Sequence, residues 1–101
     1  KIENLGDHIN SPRRETFPFV SKDNVLYFSS DRVGGVGGLD IYQCKINADN
    51  SISEPVLLSK PINSKQDDFC YVLNENGKEG YLTSNRSGGK GEDDIYYFVK
   101  E

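Results

Sequence analysis

Apolar and aromatic residues in this chain come in short runs, often with a period of two, each closed by Asn, Asp, Ser, Pro or Gly. Such runs predict strands. They fall at residues 16–20, 25–30, 40–46, 68–72, 80–84 and 94–99, with shorter apolar segments near 1–6 and 54–58. Alternation puts Phe17 with Phe19, and Phe69 with Tyr71, on one face of their strands. Pro18 removes a ladder donor, so its strand cannot be paired fully on both sides. Turns are expected at Lys22-Asp23-Asn24 and at Asn74-Glu75-Asn76-Gly77-Lys78, the second two residues longer, with Asn76-Gly77 a strong hairpin signal. No window of eleven or more residues has a 3.6 period, so no substantial helix is expected.

The strand pattern is written twice. Ser30-Asp31-Arg32-Val33-Gly34-Gly35-Val36-Gly37-Gly38-Leu39-Asp40-Ile41-Tyr42 aligns without a gap on Ser84 to Tyr96, at an offset of 54 and with eight of thirteen positions identical. That marks an internal repeat. Residues 1–11 match 54–64 at an offset of 53, through Leu5 with Leu58 and Ile9-Asn10-Ser11 with Ile62-Asn63-Ser64. The strands 16–20 and 68–72 align at an offset of 52. Each unit thus holds three strands and shares a fourth across the seam. Four-stranded antiparallel units at this period are the blades of a β-propeller. The expected division is 1–8 as the outer strand of a preceding or exchanged blade, 9–60 as blade 1, and 61–101 as blade 2, lacking its fourth strand. Two blades cannot close a ring, so either the chain is part of a larger propeller or copies close it by exchanging that strand.

Composition narrows the classes. With 101 residues the chain is one small domain or two stacked units. Its formal net charge of −4 includes no basic cluster, which argues against a nucleic-acid groove. No apolar run is long enough to span a membrane as a helix. The start at Lys1, inside what reads as a repeat, suggests a mature segment or a piece of a longer protein. Cys44 and Cys70 have no CxxC spacing and His8 is the only histidine, so zinc is not expected. The two thiols read as small buried side chains, with a disulfide between neighbouring units as the alternative.

Three motifs carry a family resemblance: Phe-x-Phe/Tyr-Val, Leu26-Tyr27-Phe28-Ser29-Ser30-Asp31-Arg32, and Gly-Gly-x-Gly-x-x-Asp-Ile-Tyr. Together they resemble the WD-like (TolB-type) propeller repeat. The Gly-rich loop and the Ile-Asn-Ser seam are similar to versions in OmpA-family outer-membrane-associated proteins of Bacteroidetes. The commonest repeat has a Ser-Pro-Asp-Gly turn where this chain has Ser21-Lys22-Asp23-Asn24 and Asn74-Glu75-Asn76-Gly77, a difference of loop detail. The resemblance implies a periplasmic or outer-membrane-associated location and an envelope-associated protein partner.

Candidate chemistry concentrates in the Gly-rich loops. Arg32 with Asp40, and Arg86 with Asp94, flank them, and the first reading is that each Asp accepts loop amides and pairs with its Arg to lock the turn. The other reading is a ligand site: Asp31 and Asp40 with backbone carbonyls for Ca²⁺, or Arg32 with exposed amides for a carboxylate. Asn85 replaces Asp31 in the second copy, which adds Glu92 and Asp93, so Asp93 and Asp94 complete the weak Ca²⁺ candidates. No Gly-Lys-Ser/Thr follows, which excludes a P-loop. Asp67-Asp68 and Asp93-Asp94 are adjacent residues pointing to opposite faces, so neither forms a facing acid/base dyad. His8 reads as a surface residue, and recurring aromatics such as Tyr27, Tyr42, Tyr81 and Tyr96 as packing between blade faces. Of the successive Tyr97 and Phe98, at least one faces a neighbouring blade or a partner.

The expectation is therefore an all-β, non-enzymatic propeller segment without a resident cofactor, mediating protein–protein contacts in the bacterial envelope. Its partners would be an envelope protein and either the remaining blades or other copies of itself. A glycan- or peptidoglycan-associated binding module, or part of an enzyme whose site lies in other blades, is the alternative.

Overall fold

A computed structural model describes residues 1–100 as two antiparallel sheets with no helix among them. Seven strands follow in order: β1 Glu15–Val20, β2 Val25–Ser30, β3 Asp40–Lys45, β4 Val56–Leu57, β5 Asp68–Leu73, β6 Glu79–Ser84 and β7 Asp94–Val99. The first sheet is ordered β1-β2-β3-β4 and the second β5-β6-β7. Each run is rich in aromatic and β-branched residues and is bounded by turn formers, as strand sequences require. The first hairpin turns through Asn24 and the second through Gly77, both at positive φ, where Asn and Gly are tolerated. Residues 1–8 pair with no strand among the described residues.

The register corrects two sequence expectations. Glu15 lies opposite Ser30, and Asp68 opposite Ser84. The entry strands are therefore equivalent at an offset of 53, not 52, and the second hairpin turn is longer by one residue, not two. Each entry strand carries a bulge, between Thr16 and Phe19 in β1 and between Phe69 and Val72 in β5. Phe17 and Cys70, at equivalent places in the two bulges, have φ of 53° and 57°. A bulge breaks the period of two, so Phe17 and Phe19 do not share a simple face. Pro18 sits inside the bulge of an edge strand, where its missing N–H interrupts no regular ladder.

The sheets stack through one face of each. Tyr27, Ile41 and Tyr71 are buried there, with Phe19, Leu58, Ile62 and Phe98 around them. Tyr71 is sandwiched, with ring centroids 4.5 Å from Tyr27 and 4.9 Å from Phe98. On the opposite face of the first sheet, Leu26, Phe28, Tyr42 and Cys44 form a second cluster roofed by Ile9. Of the recurring aromatics, Tyr81 is not packed between sheets: it is exposed beside Tyr97. Phe98 faces the first sheet while Tyr97 faces solvent.

The cysteines are free, and they differ. Cys44 is buried, whereas Cys70 is exposed on its bulge, contrary to the expectation of two buried thiols. Burial pushes the Cys44 thiol above its ordinary pKa, which lowers its thiolate fraction further. A thiol reagent should therefore titrate one sulfhydryl in the native chain, lost in Cys70→Ser, and a second only in denaturant. Two fast-reacting thiols, or none, would contradict this arrangement.

Candidate functional site

The Gly-rich loops and the seam segments before β1 and β5 meet at one end of each sheet, and an arginine joins them. Arg32 Nε donates to Ser30 Oγ at 3.1 Å and Nη1 to the His8 carbonyl at 3.1 Å. Its Nη2 donates to the Ile9 carbonyl and to Glu15 Oε2, the latter at 3.2 Å. The guanidinium carbon also lies 5.2 Å from the Phe28 ring centroid and 5.1 Å from that of Tyr42, within cation–π range.

The second unit repeats the set. Arg86 donates to Ser84 Oγ at 3.0 Å, to the Pro61 and Ile62 carbonyls at 2.8 and 2.6 Å, and to Asp68 Oδ1 at 2.9 Å. It also lies over Tyr96, at 5.4 Å. The planar fork suits this work, because its fixed donors reach two consecutive carbonyls and a carboxylate together.

The carboxylates close the lock. Glu15 accepts from the Ser11 amide, the Ser11 hydroxyl and the Ser30 hydroxyl. Asp68, fully buried, accepts from the Ser64 amide and hydroxyl and from the Ser84 hydroxyl. Burial favours the neutral acid at Glu15, but the hydrogen bonds from Ser11 and Ser30 and the Arg32 charge outweigh it and hold its carboxyl below the ordinary value.

The partner expected for each arginine was wrong. Asp40 does not pair with Arg32: its Oδ2 accepts the Val36 and Gly37 amides at 2.8 and 3.1 Å. Asp94 likewise takes the Lys90 and Gly91 amides rather than Arg86. The amide-accepting half of that reading holds at both loops. A Cβ on Gly35 or Gly89 would overlap the Asp40 or Asp94 carboxylate, so these glycines give the carboxylate its space. Asp40 is fully buried and its Oδ1 has no hydrogen-bond partner. Burial, which outweighs the two amide bonds, raises its pKa, and the nearby Asp68 and Asp67 charges add to the rise.

Asp31 is a third element. It accepts the Arg14 amide at 2.9 Å, the main cause of its lowered pKa, and lies against the Arg13 and Arg14 side chains. Asn85 does the same for the Asp67 amide at 2.8 Å. Asp31 and Arg32 therefore serve one seam on separate partners, while Asp40 holds its own loop. No three His, Cys, Asp or Glu side chains converge among the described residues. His8 is exposed, 3.8 Å from Glu54, and contributes its carbonyl rather than its imidazole to the lock.

The residues missed from sequence are Glu15, Asp68, Ser11 and Ser64. The serines were visible in the repeated Ile-Asn-Ser triplet. The acids become equivalent only when the entry strands are aligned at 53.

Arg86→Ala should leave the Asp68 carboxylate buried without its charge partner and cost about 3–5 kcal/mol in denaturant unfolding; a loss below about 1 kcal/mol would show that the lock is not structural. Because the Glu15 pKa is depressed on folding, its contribution is present above the ordinary value of 4.5 and is lost as pH falls through the folded value. Asp40, raised on folding, acts in the opposite sense. Glu15→Gln should therefore lower stability at neutral pH and flatten its fall between roughly pH 5 and pH 2, followed by circular dichroism; an unchanged acid limb would contradict this. No protein-family model, no curated protein and no solved structure matches this chain.

Proposed function

We propose that this chain is a segment of a WD-like β-propeller that acts as a non-enzymatic scaffold and binds another protein through its open end, at the periphery of the bacterial envelope. The observation that carries the reading is the outward face of the second sheet. Tyr81, Ile95, Tyr97 and Val99 stand exposed together on β6 and β7. This strand face is mainly apolar and aromatic, with the Tyr97 hydroxyl already donating to Glu79, and it suits a protein surface better than a small substrate.

The polar residues that first suggested chemistry support the same reading. Arg32, Arg86, Asp31, Asp40 and Asp94 are all engaged in holding loops and seams. A catalytic group needs a free face toward a substrate, and these spend their hydrogen bonds on the backbone and on neighbouring serine and carboxylate side chains. The reading assigns no cofactor. The envelope location rests on the family resemblance of the Gly-rich and Ile-Asn-Ser motifs.

One observation favours a second reading, a glycan-binding module. A groove of about 460 Å³ between the sheets is lined by Gln43, Lys60, Tyr71, Phe98 and Lys100. Its aromatic and hydrogen-bonding groups have the chemistry of an oligosaccharide site. However, Tyr71 is nearly wholly buried, so its ring offers little stacking surface.

Affinity capture with the chain from an envelope extract, beside binding to peptidoglycan fragments and oligosaccharides, separates the two. The scaffold reading expects a protein captured by the native chain and lost at least tenfold with Tyr97→Asp, in a variant that keeps the native circular dichroism. Saturable oligosaccharide binding that Tyr97→Asp leaves unchanged, with no protein captured, would overturn it.

A further inference from the structure

The two sheets present equivalent faces in unequal states. On the first sheet, Tyr27 is 3% exposed and Ile41 0%, because the second sheet covers them. Their counterparts at an offset of 54 are Tyr81, 42% exposed, and Ile95, 76% exposed. The contact between the sheets thus shows what a face of this kind accepts.

Part of that contact is a backbone clamp. The Ile41 amide donates to Asn63 Oδ1 at 2.7 Å, and Asn63 Nδ2 donates to the Ile41 carbonyl at 3.0 Å. The Leu58 amide reaches the same carbonyl at 3.1 Å. At an offset of 53, Leu58 and Asn63 correspond to Leu5 and Asn10 in the N-terminal segment. Ile41 corresponds to Ile95 on β7, whose outer edge pairs with no strand among the described residues. Both halves of a second clamp are present, at opposite ends of the chain.

The apolar and charged parts of the contact have counterparts as well. Tyr27 packs among Leu58, Ile62 and Tyr71; the corresponding Leu5, Ile9 and Pro18 line a groove of about 230 Å³ floored by Leu26 and Phe28. Within the chain, the Leu39 amide donates to Asp67 Oδ1. The corresponding pair is Asp93 with Arg14, opposite charges on exposed loops, flanked by Glu92 and Arg13.

We infer that the protein bound at the open end is a second copy of this chain, docked head to tail. Tyr81 of one copy fills the groove beside Pro18 of the next, Asn10 and Leu5 of the next clamp the Ile95 backbone, and Arg14 meets Asp93. Residues near Asn4, the counterpart of Leu57 in β4, then lie along β7 as its missing neighbour. The faces are unlike, so the contact is heterologous, and it propagates until a ring closes. This rests on the binding-face reading above and names its partner.

The test uses two exposed-site variants: Ile95→Asp, which blocks the β7 end, and Leu5→Asp, which blocks the N-terminal end. In light scattering, the native chain should rise with concentration to at least twice its 11.3 kDa mass. Each variant alone should stay monomeric, and an equimolar mixture should reach twice the monomer mass and no more. Charge removal at the exposed loops provides an arm that leaves the apolar contacts intact, with Arg13 remaining beside Asp31: Arg14→Gln and Asp93→Asn should each weaken association by a similar factor while keeping the native circular dichroism, and combining both in one chain should add no further loss. A native chain monomeric to millimolar concentration, Ile95→Asp retaining the native mass, or a mixture that stays monomeric would overturn the inference. If Ile95→Asp abolishes capture of an envelope protein while the native chain is monomeric, the binding-face reading stands and the second copy falls.

Discussion

One guanidinium in each unit holds three separate pieces of chain together. Arg32 and Arg86 each hold two consecutive carbonyls of the seam segment, a serine at the end of the middle strand, and an acid at the start of the entry strand. The acids in turn hold the seam serines, so the set is closed and its members satisfy one another. A buried carboxylate alone would carry a desolvation penalty of several kcal/mol. Here hydrogen bonds and a cation offset it, and the result fixes where the chain enters each sheet.

That entry point decides what the rest of the chain can do. It sets the seam segment over the sheet, with Ile9 roofing the first cluster and Ile62 filling the contact between sheets. It also aims Asn63 at Ile41, turning an otherwise loose connection into a backbone clamp. The Gly-rich loops are stabilised separately. Asp40 and Asp94 gather their amides, and the neighbouring glycines leave room for them. Positive φ at Gly34 and Gly88 bends both loops alike. The first loop is exposed from Val33 to Val36 and covered only near Gly37, Leu39 and Asp40, where Lys65 to Asp67 of the second unit lie against it; the second loop has no such cover among the described residues.

The strands and their duplication were legible because period-two patterning and turn chemistry are local signals. Middle and exit strands were placed well from residues such as Val25 to Ser30 and Asp94 to Val99. The entry strands were misaligned because Phe17 and Phe19 match Phe69 and Tyr71 at an offset of 52, whereas the two bulges are equivalent at 53 and leave no mark in the sequence. Phe17 and Cys70 share a left-handed backbone but no side-chain chemistry. Aligning the aromatics therefore hid the equivalence of Glu15 with Asp68. The arginine partner was misjudged for a related reason: Asp40 is near Arg32 across the hairpin, yet the loop amides claim it first. Asn63 was visible as part of a repeated triplet, but its role depends on a contact between sheets that no local pattern encodes.

The most direct test of the account is the coupling between Arg86 and Asp68, measured by a double-mutant cycle of Arg86→Leu and Asp68→Asn in equilibrium unfolding. If the lock holds the seam, the two changes should be strongly non-additive, with a coupling of about 2 kcal/mol or more. Additive losses, within about 0.5 kcal/mol, would mean that the pair merely lies close together and that the entry strand is held by something else.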